Sequence, residues 1–181
     1  MQVSVNKADA GREFRRLDRL LAEVSQQAYV ASKNAGDKYA AKVKSGIGLT
    51  TAPPFADRPW EPLSEAWKRQ KKAHKEQFWL ETGEIFKAIH TSIIQKTLLF
   101  IHIFSGISRT ESGDDVINRA YWNEYLTSGP SGYPPRPIFK PAANLFSIVT
   151  GTKTRKLKKG SEEYLLFKQA VRNAVKRVYG R

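Results

Sequence analysis

The chain has 181 residues, the size of one domain, and its 40% hydrophobic and 11% aromatic content predicts a folded core. It has no cysteine, which excludes disulfides and thiolate metal ligands. Its longest apolar block, Leu98 to Phe104, is far shorter than the roughly 20 residues that a membrane-spanning helix needs. The net charge is +14, and residues 151–181 hold ten basic and two acidic residues, which favours phosphate backbones or acidic protein surfaces as partners.

The N-terminal region predicts a short extended arm over residues 1–9 and a long amphipathic helix from about Ala10 to Lys44. Apolar residues recur there in alternating steps of three and four, which places them on one helical face: Phe14, Leu17, Leu21, Val24, Ala28, Ala31 and Ala35. Gly36 could interrupt the helix. Two interpretations remain open, because part of so long a helix could pack on another subunit or could be an ordinary core-facing helix.

Residues 45–63 contain two glycines and four prolines, which predict an irregular, exposed loop that docks on a partner. A helix should follow from the capping residue Ser64 to about Phe78. On that helix four lysines fall on one side: Lys68, Lys71, Lys72 and Lys75. This basic face is either a solvated surface or a surface for DNA or an acidic partner.

The middle of the chain predicts a small sheet followed by helices. Residues 84–90 fit either a helix or a strand, whereas residues 91–95 and 97–105 read as strands, with His102 as a hydrogen-bonded core residue. A helix is expected from Asp114 to about Thr127, a stiff loop over residues 129–137, and a helix from Phe139 to about Thr150.

The C-terminal region predicts a basic loop over residues 151–160 and a last helix from Ser161 to about Tyr179. The loop carries a basic tract: Lys153, Arg155, Lys156, Lys158 and Lys159. Clustered cations suffice for nonspecific phosphate binding, although a plain solvated tract explains them equally well.

No catalytic or cofactor motif emerges from the sequence. The three histidines, at 74, 90 and 102, lack metal-ligand spacing, and no phosphate-binding glycine loop or nucleophile elbow is present. The adjacent Asp114 and Asp115 stand where a helix begins, so capping accounts for them better than a nuclease site does. We therefore expect a protein that is not an enzyme and that holds no metal or cofactor.

Four segments in a fixed order resemble the tail-completion proteins of long-tailed bacteriophages, a group of neck and minor tail proteins that includes the virion-morphogenesis proteins. They cover roughly residues 10–150. The segments are the Gly11-Arg12-Glu13-Phe14 opening of the first helix, Trp60 to Trp67 with the lysine-rich helix, Leu80 to Ile85 around Thr82-Gly83, and Pro135 to Ala142 around Arg136-Pro137-Ile138-Phe139.

The resemblance implies an α+β fold in which a long N-terminal helix packs on a small antiparallel sheet, with further helices including a C-terminal one. It implies a homo-oligomeric ring in the virion neck, with six copies or alternatively twelve, assembled in the host cytoplasm. The ring would join head connector or adaptor proteins to the tail terminator or tail tube, with genomic DNA in its lumen and no membrane. Residues 1–150 would form this domain, and residues 151–181 would be a basic extension that the family often lacks.

The leading hypothesis is therefore a structural ring protein, and the alternative is a nonspecific DNA-binding protein. The partner or DNA contacts would be the two lysine-rich groups named above. Docking would involve the loop residues Trp60, Pro62, Trp67, Arg136 and Phe139.

Overall fold

A computed structural model describes residues 7–71, 73–80, 82–97, 101–125, 135–145 and 162–180 of the chain. The fold has the predicted α+β class, with a long N-terminal helix, a two-stranded antiparallel sheet and further helices. The elements in chain order are α1 (Lys7–Ser45), α2 (Glu65–Gln70), α3 (Glu84–Ala88), β1 (Ile89–Lys96), β2 (Ile101–Ile107), α4 (Arg109–Tyr125), α5 (Phe139–Leu145) and α6 (Glu162–Tyr179).

Helix α1 is continuous from Lys7 to Ser45, so residues 7–9 belong to the helix and not to the expected arm. Gly36 does not interrupt it. Instead, Gly36 is where the sheet comes closest, because a Cβ atom there would lie only 2.7 Å from Cγ2 of Thr91. The Ser105 hydroxyl also donates a hydrogen bond to the Gly36 carbonyl at 2.9 Å. The missing side chain therefore lets the helix and the sheet touch.

Strands β1 and β2 form a hairpin that runs along α1. Thr91 pairs with Ser105 beside Gly36, and the register shifts by one residue between Ile93 and Gln95, which is a β-bulge. The far end of the hairpin reaches Ser25, whose hydroxyl donates to the Thr97 carbonyl at 3.4 Å. Residues of α1 before Ser25 therefore extend past the described part of the hairpin.

His102 is exposed on β2, so its prediction as a core residue was wrong. A hairpin of two strands offers one face to α1, and a side chain on the other face stays in solvent. The segment 84–90, which fitted helix or strand, is divided between them: α3 ends at Ala88 and β1 begins at Ile89.

Helix α4 bends at Gly113, whose φ of 74° and ψ of 162° are non-helical. The bend lies immediately before Asp114, the predicted helix start. Helix α5 was expected to reach Thr150 and is described as far as Leu145, and residues 146–161 lie outside the described part of the chain. The expected loop over 129–137 lies mostly outside it too, as does the proposed boundary between residues 150 and 151.

The core lies at the C-terminal end of α1, where Val43, Ile89 and Ile138 are completely buried. The loop 45–63 contributes to this core and is therefore only partly exposed, whereas its docking on a partner stays a prediction. Its apolar residues are spaced between the prolines and turn inward together: Ile47, Phe55, Trp60 and Leu63. Burying large apolar side chains is strongly favourable, at about 1.5–3 kcal/mol for each Leu-sized group.

Helix α6 packs against α1. Its small residues Ala170 and Ala174 are buried, which allows the two helices to approach closely. An ion pair between Arg177 and Glu23 joins them as well.

Candidate functional site

Two of the five residues predicted to dock on a partner, Trp60 and Arg136, belong to an internal cluster that ties three distant segments to one another. The Arg136 guanidinium lies over the Phe78 ring, 4.7 Å from its centroid, and its Nη2 donates to the Glu61 carbonyl at 3.1 Å. The Trp79 indole Nε1 donates to the Arg136 carbonyl at 2.9 Å. Trp60 packs edge-on against Phe78, with ring centroids 5.2 Å apart. We call this arrangement the motif cluster.

This geometry corrects the docking prediction for Trp60 and Arg136, whose exposed fractions are only 8% and 5%. Trp67 and Phe139 are half-buried against the same core. Pro62 alone of the five predicted docking residues is exposed. Arginine stacks well on aromatic rings and can then be buried while its N–H groups bond backbone carbonyls.

The predicted basic face of residues 68–75 does not form, because α2 ends at Gln70. Lys71 turns inward with 6% exposure and donates to the carbonyls of His74, Gln77 and Leu80, the first and last at 2.8 and 3.1 Å. Lys71 is thus a structural residue that holds the turn after α2 and not a contact for DNA.

The other lysines of that segment have separate positions. Lys68 pairs with Glu65 and Glu76 at 2.9 and 3.0 Å, and its hydrogen bonds to these carboxylates raise its pKa. Lys75 is exposed, and Lys72 lies outside the described residues. The segment therefore offers a partly neutralised surface.

A buried carboxylate that the sequence did not single out joins α4 to α5. Glu124 is 5% exposed, and its two oxygens accept hydrogen bonds from the backbone N–H groups of Ile138, Phe139 and Lys140 at 2.8, 3.0 and 2.7 Å. These are the free donors at the start of α5, where a negative charge is favourable. Because the acceptor lies more than ten residues earlier in the chain, no local capping pattern reveals it.

The basic tract at Lys153, Arg155, Lys156, Lys158 and Lys159 lies outside the described residues. The adjoining helix α6 carries a basic stripe that the sequence analysis missed: Lys168, Arg172 and Lys176. All three are exposed, and none forms an ion pair with another described residue. Their spacing of four residues could have identified them, since it places them on one side of a helix.

The N-terminal end of α1 is the second unusual surface. Every residue from Arg12 to Arg19 is exposed. Three residues of the predicted apolar face are exposed: Phe14 at 68%, Leu17 at 47% and Leu21 at 43%. Single exposed apolar residues are common, whereas an aligned set on one helix face is a larger apolar surface.

No protein-family model matches this chain, and no curated protein or solved structure matches it either.

Within the described ranges, no group of three or more His, Asp or Glu side chains is placed to hold a metal ion. Nor does any helix in this part of the chain have the length and apolar character needed to cross a membrane. The described surface has an apolar N-terminal end of α1, three exposed aromatic residues on α4 (Tyr121, Trp122 and Tyr125) and a basic stripe on α6. Features of these kinds are typical of surfaces that bind macromolecules.

Proposed function

We propose that this protein is a structural subunit of a bacteriophage neck, which forms a ring between the head connector and the tail. The observation that carries the proposal is the N-terminal end of α1, with Phe14, Leu17 and Leu21 in solvent. An aligned apolar stripe on a helix that extends beyond its own domain is stabilised when a neighbouring subunit covers it.

The segments that resemble the tail-completion proteins lend support, because three of them form one packed unit. Trp60, Ile85 and Ile138 lie in one buried core although they are far apart in sequence. Segments that pack together in this way belong to the structural core of one domain, which supports treating them as parts of a single fold.

The ring would have six subunits, or twelve as an alternative, and would act without catalysis, metal or cofactor. Its neighbours would be head connector or adaptor proteins on one side and the tail terminator or tube on the other. The genome would cross its lumen through nonspecific contacts. The protein would thus assemble in the host cytoplasm and remain in the virion.

A deletion of the gene from its phage tests the role directly. We expect filled heads and separate tails, which electron microscopy distinguishes from joined particles. Supplying the intact chain should restore joining. A chain with glutamate at Arg155, Lys156, Lys158 and Lys159 should fold normally by circular dichroism and should not restore it. Normal infectious particles from the deletion would overturn the neck proposal.

The basic stripe on α6 favours nonspecific DNA binding as a second candidate. Lys168, Arg172 and Lys176 could contact successive phosphates, and three such contacts give a slope of about −2.7 for log K against log salt on duplex DNA. A variant with glutamine at the three positions should lose most of this slope. If the purified chain binds duplex tightly as a monomer and never associates with itself or with neck proteins, this second function is the better one.

A further inference from the structure

The exposed end of α1 has the chemistry of one half of a protein interface. We call it the α1 tip, defined by Phe14, Leu17 and Leu21 with the neighbouring Arg15 and Arg19. Arg12 and Arg16 pair with Asp9 and Glu13 on the same helix, whereas Arg15 and Arg19 form no ion pair with a described residue. The tip therefore combines an apolar stripe with two available guanidinium groups.

A patch of different chemistry lies on α4. The side chains of Tyr121, Trp122 and Tyr125 are 53%, 52% and 56% exposed, and the two tyrosine rings lie 5.1 Å apart. We call these three residues the aromatic patch. Asp114 and Asp115, also exposed, lie at the opposite end of the same helix. Three exposed aromatic side chains within five residues of one helix are typical of an interface centre.

The α1 tip and the aromatic patch of one molecule are held far apart. Glu124, beside the patch, binds the start of α5, and the Tyr39 hydroxyl donates to the Phe139 carbonyl at 3.2 Å in the same place. The aromatic patch is thus anchored near Tyr39. Tyr39 lies 22 residues after Leu17 on the continuous helix α1, which is about 33 Å along the helix axis. The tip of one molecule therefore cannot cover its own patch.

The two surfaces complement each other chemically. Leucine and phenylalanine side chains pack well on aromatic rings, and arginine guanidinium groups stack on the faces of Trp and Tyr with favourable cation–π energy. Tyr, Trp and Arg are the residue types enriched at the energetic centres of interfaces.

We propose that the α1 tip of one copy binds the aromatic patch of the next copy, head to tail. This contact uses two different surfaces of the chain, so each copy can bind one neighbour on either side, and a rotation that closes gives a ring. The inference deepens the proposed function, on which it rests, by naming the subunit contact.

Cysteine cross-linking tests the contact cleanly, because the natural chain has no cysteine. Two full-length variants, Leu17→Cys and Tyr121→Cys, carry tags of different mass and are mixed with a short bismaleimide. We expect a cross-linked heterodimer from the mixture and little product from either variant alone. Gln70→Cys, at an exposed position on α2, replaces Tyr121→Cys in the control mixture and should not cross-link to Leu17→Cys.

A second pair of variants measures the strength of the contact by sedimentation. Arg19→Glu should weaken self-association at least tenfold, because it replaces the cation that would stack on the aromatic rings with an anion. Arg12→Glu, whose wild-type residue is already paired, should have a smaller effect. Both positions are exposed, so circular dichroism and thermal unfolding should match the wild type.

The outcomes separate the two proposals. An oligomeric wild type without the Leu17–Tyr121 product, or with Leu17→Cys linked mainly to itself, overturns this contact and leaves the ring intact. A monomer at every concentration, and no product in assembled particles, overturns both. A third outcome is the Leu17–Tyr121 product in assemblies that are dimers or open chains and never closed rings. That outcome would support the contact and contradict the ring.

Discussion

The two ends of α1 have opposite surroundings. At its C-terminal end, Tyr39, Ala40 and Val43 are buried beneath the motif cluster. At its N-terminal end, every residue from Arg12 to Arg19 is exposed, although the apolar spacing there is just as regular. One amphipathic pattern is thus buried in the core at one end of the helix and exposed at the other.

This difference predicts that the two ends of α1 have separate roles, one in the stability of the single chain and one in self-association. Contacts that stabilise the single chain are concentrated around Ile138, Glu124 and Lys71, whereas the tip adds little to them. Substitutions in the core around the C-terminal end of α1 should therefore lower the free energy of unfolding. Substitutions at the α1 tip should change self-association. Denaturant unfolding of single variants measures this difference in the free energy of unfolding.

Ile138→Ala should lower the free energy of unfolding most, by about 4 kcal/mol, because it leaves a cavity where a completely buried side chain stood. Leu17→Ala, its counterpart on the tip, should change stability by about 0.5 kcal/mol or less, since alanine is an equally good helix former. Equal losses for the two variants would show that the tip is packed within the single chain.

Glu124→Ala should cost about 3 kcal/mol, because three backbone N–H groups at the start of α5 lose their acceptor. Glu124→Gln keeps one carbonyl oxygen and should lose clearly less. Circular dichroism and urea titration measure both. If the two variants are equally stable, the carboxylate is not what joins α4 to α5.

Lys71→Met should cost about 2 kcal/mol, since the carbonyls of His74, Gln77 and Leu80 lose a charged donor. Lys75→Met is the matched control on the exposed side of the same segment and should be neutral within about 0.5 kcal/mol. A neutral Lys71→Met, or a gain in stability, would contradict the structural role assigned to this lysine.

Two glycine substitutions within α1 should have opposite signs. Gly36→Ala should destabilise by about 1 kcal/mol, because the new methyl group meets Thr91 at the helix–sheet contact and outweighs the gain in helix propensity. Gly11→Ala has no atom within 4 Å of the new Cβ and should stabilise by about 0.7 kcal/mol. If both variants change the free energy of unfolding in the same direction, the two ends of α1 do not differ in packing as described.

Local patterns were sufficient to predict most elements. The three-and-four spacing predicted α1, and the Ser64 cap predicted the start of α2. Segments rich in Ile, Phe and Leu predicted two strands, although β2 extends two residues beyond the predicted end at residue 105. The last helix, α6, ends at Tyr179 as predicted. These signals depend on residues close together in the chain, so they can be identified from the sequence alone.

The same patterns failed where a side chain had two plausible environments. Lys71 looked like its neighbours on a basic face, and only the turn of residues 73–80 showed that three carbonyls enclose it. Trp60 and Arg136 looked like docking residues, and only their mutual packing around Phe78 showed that they are internal. Glu124 gave no signal, because its partners are distant in the chain.

The sequence by itself determined the long helix, the two strands and the excess of positive charge, since each follows from spacing or composition, whereas the α+β class was implied by the resemblance. Only the tertiary structure decided which end of α1 is enclosed and which is exposed, and which prolines and aromatics lie in the core. The reason is that burial depends on contacts between distant segments, whereas helical or strand periodicity shows only that a face is apolar.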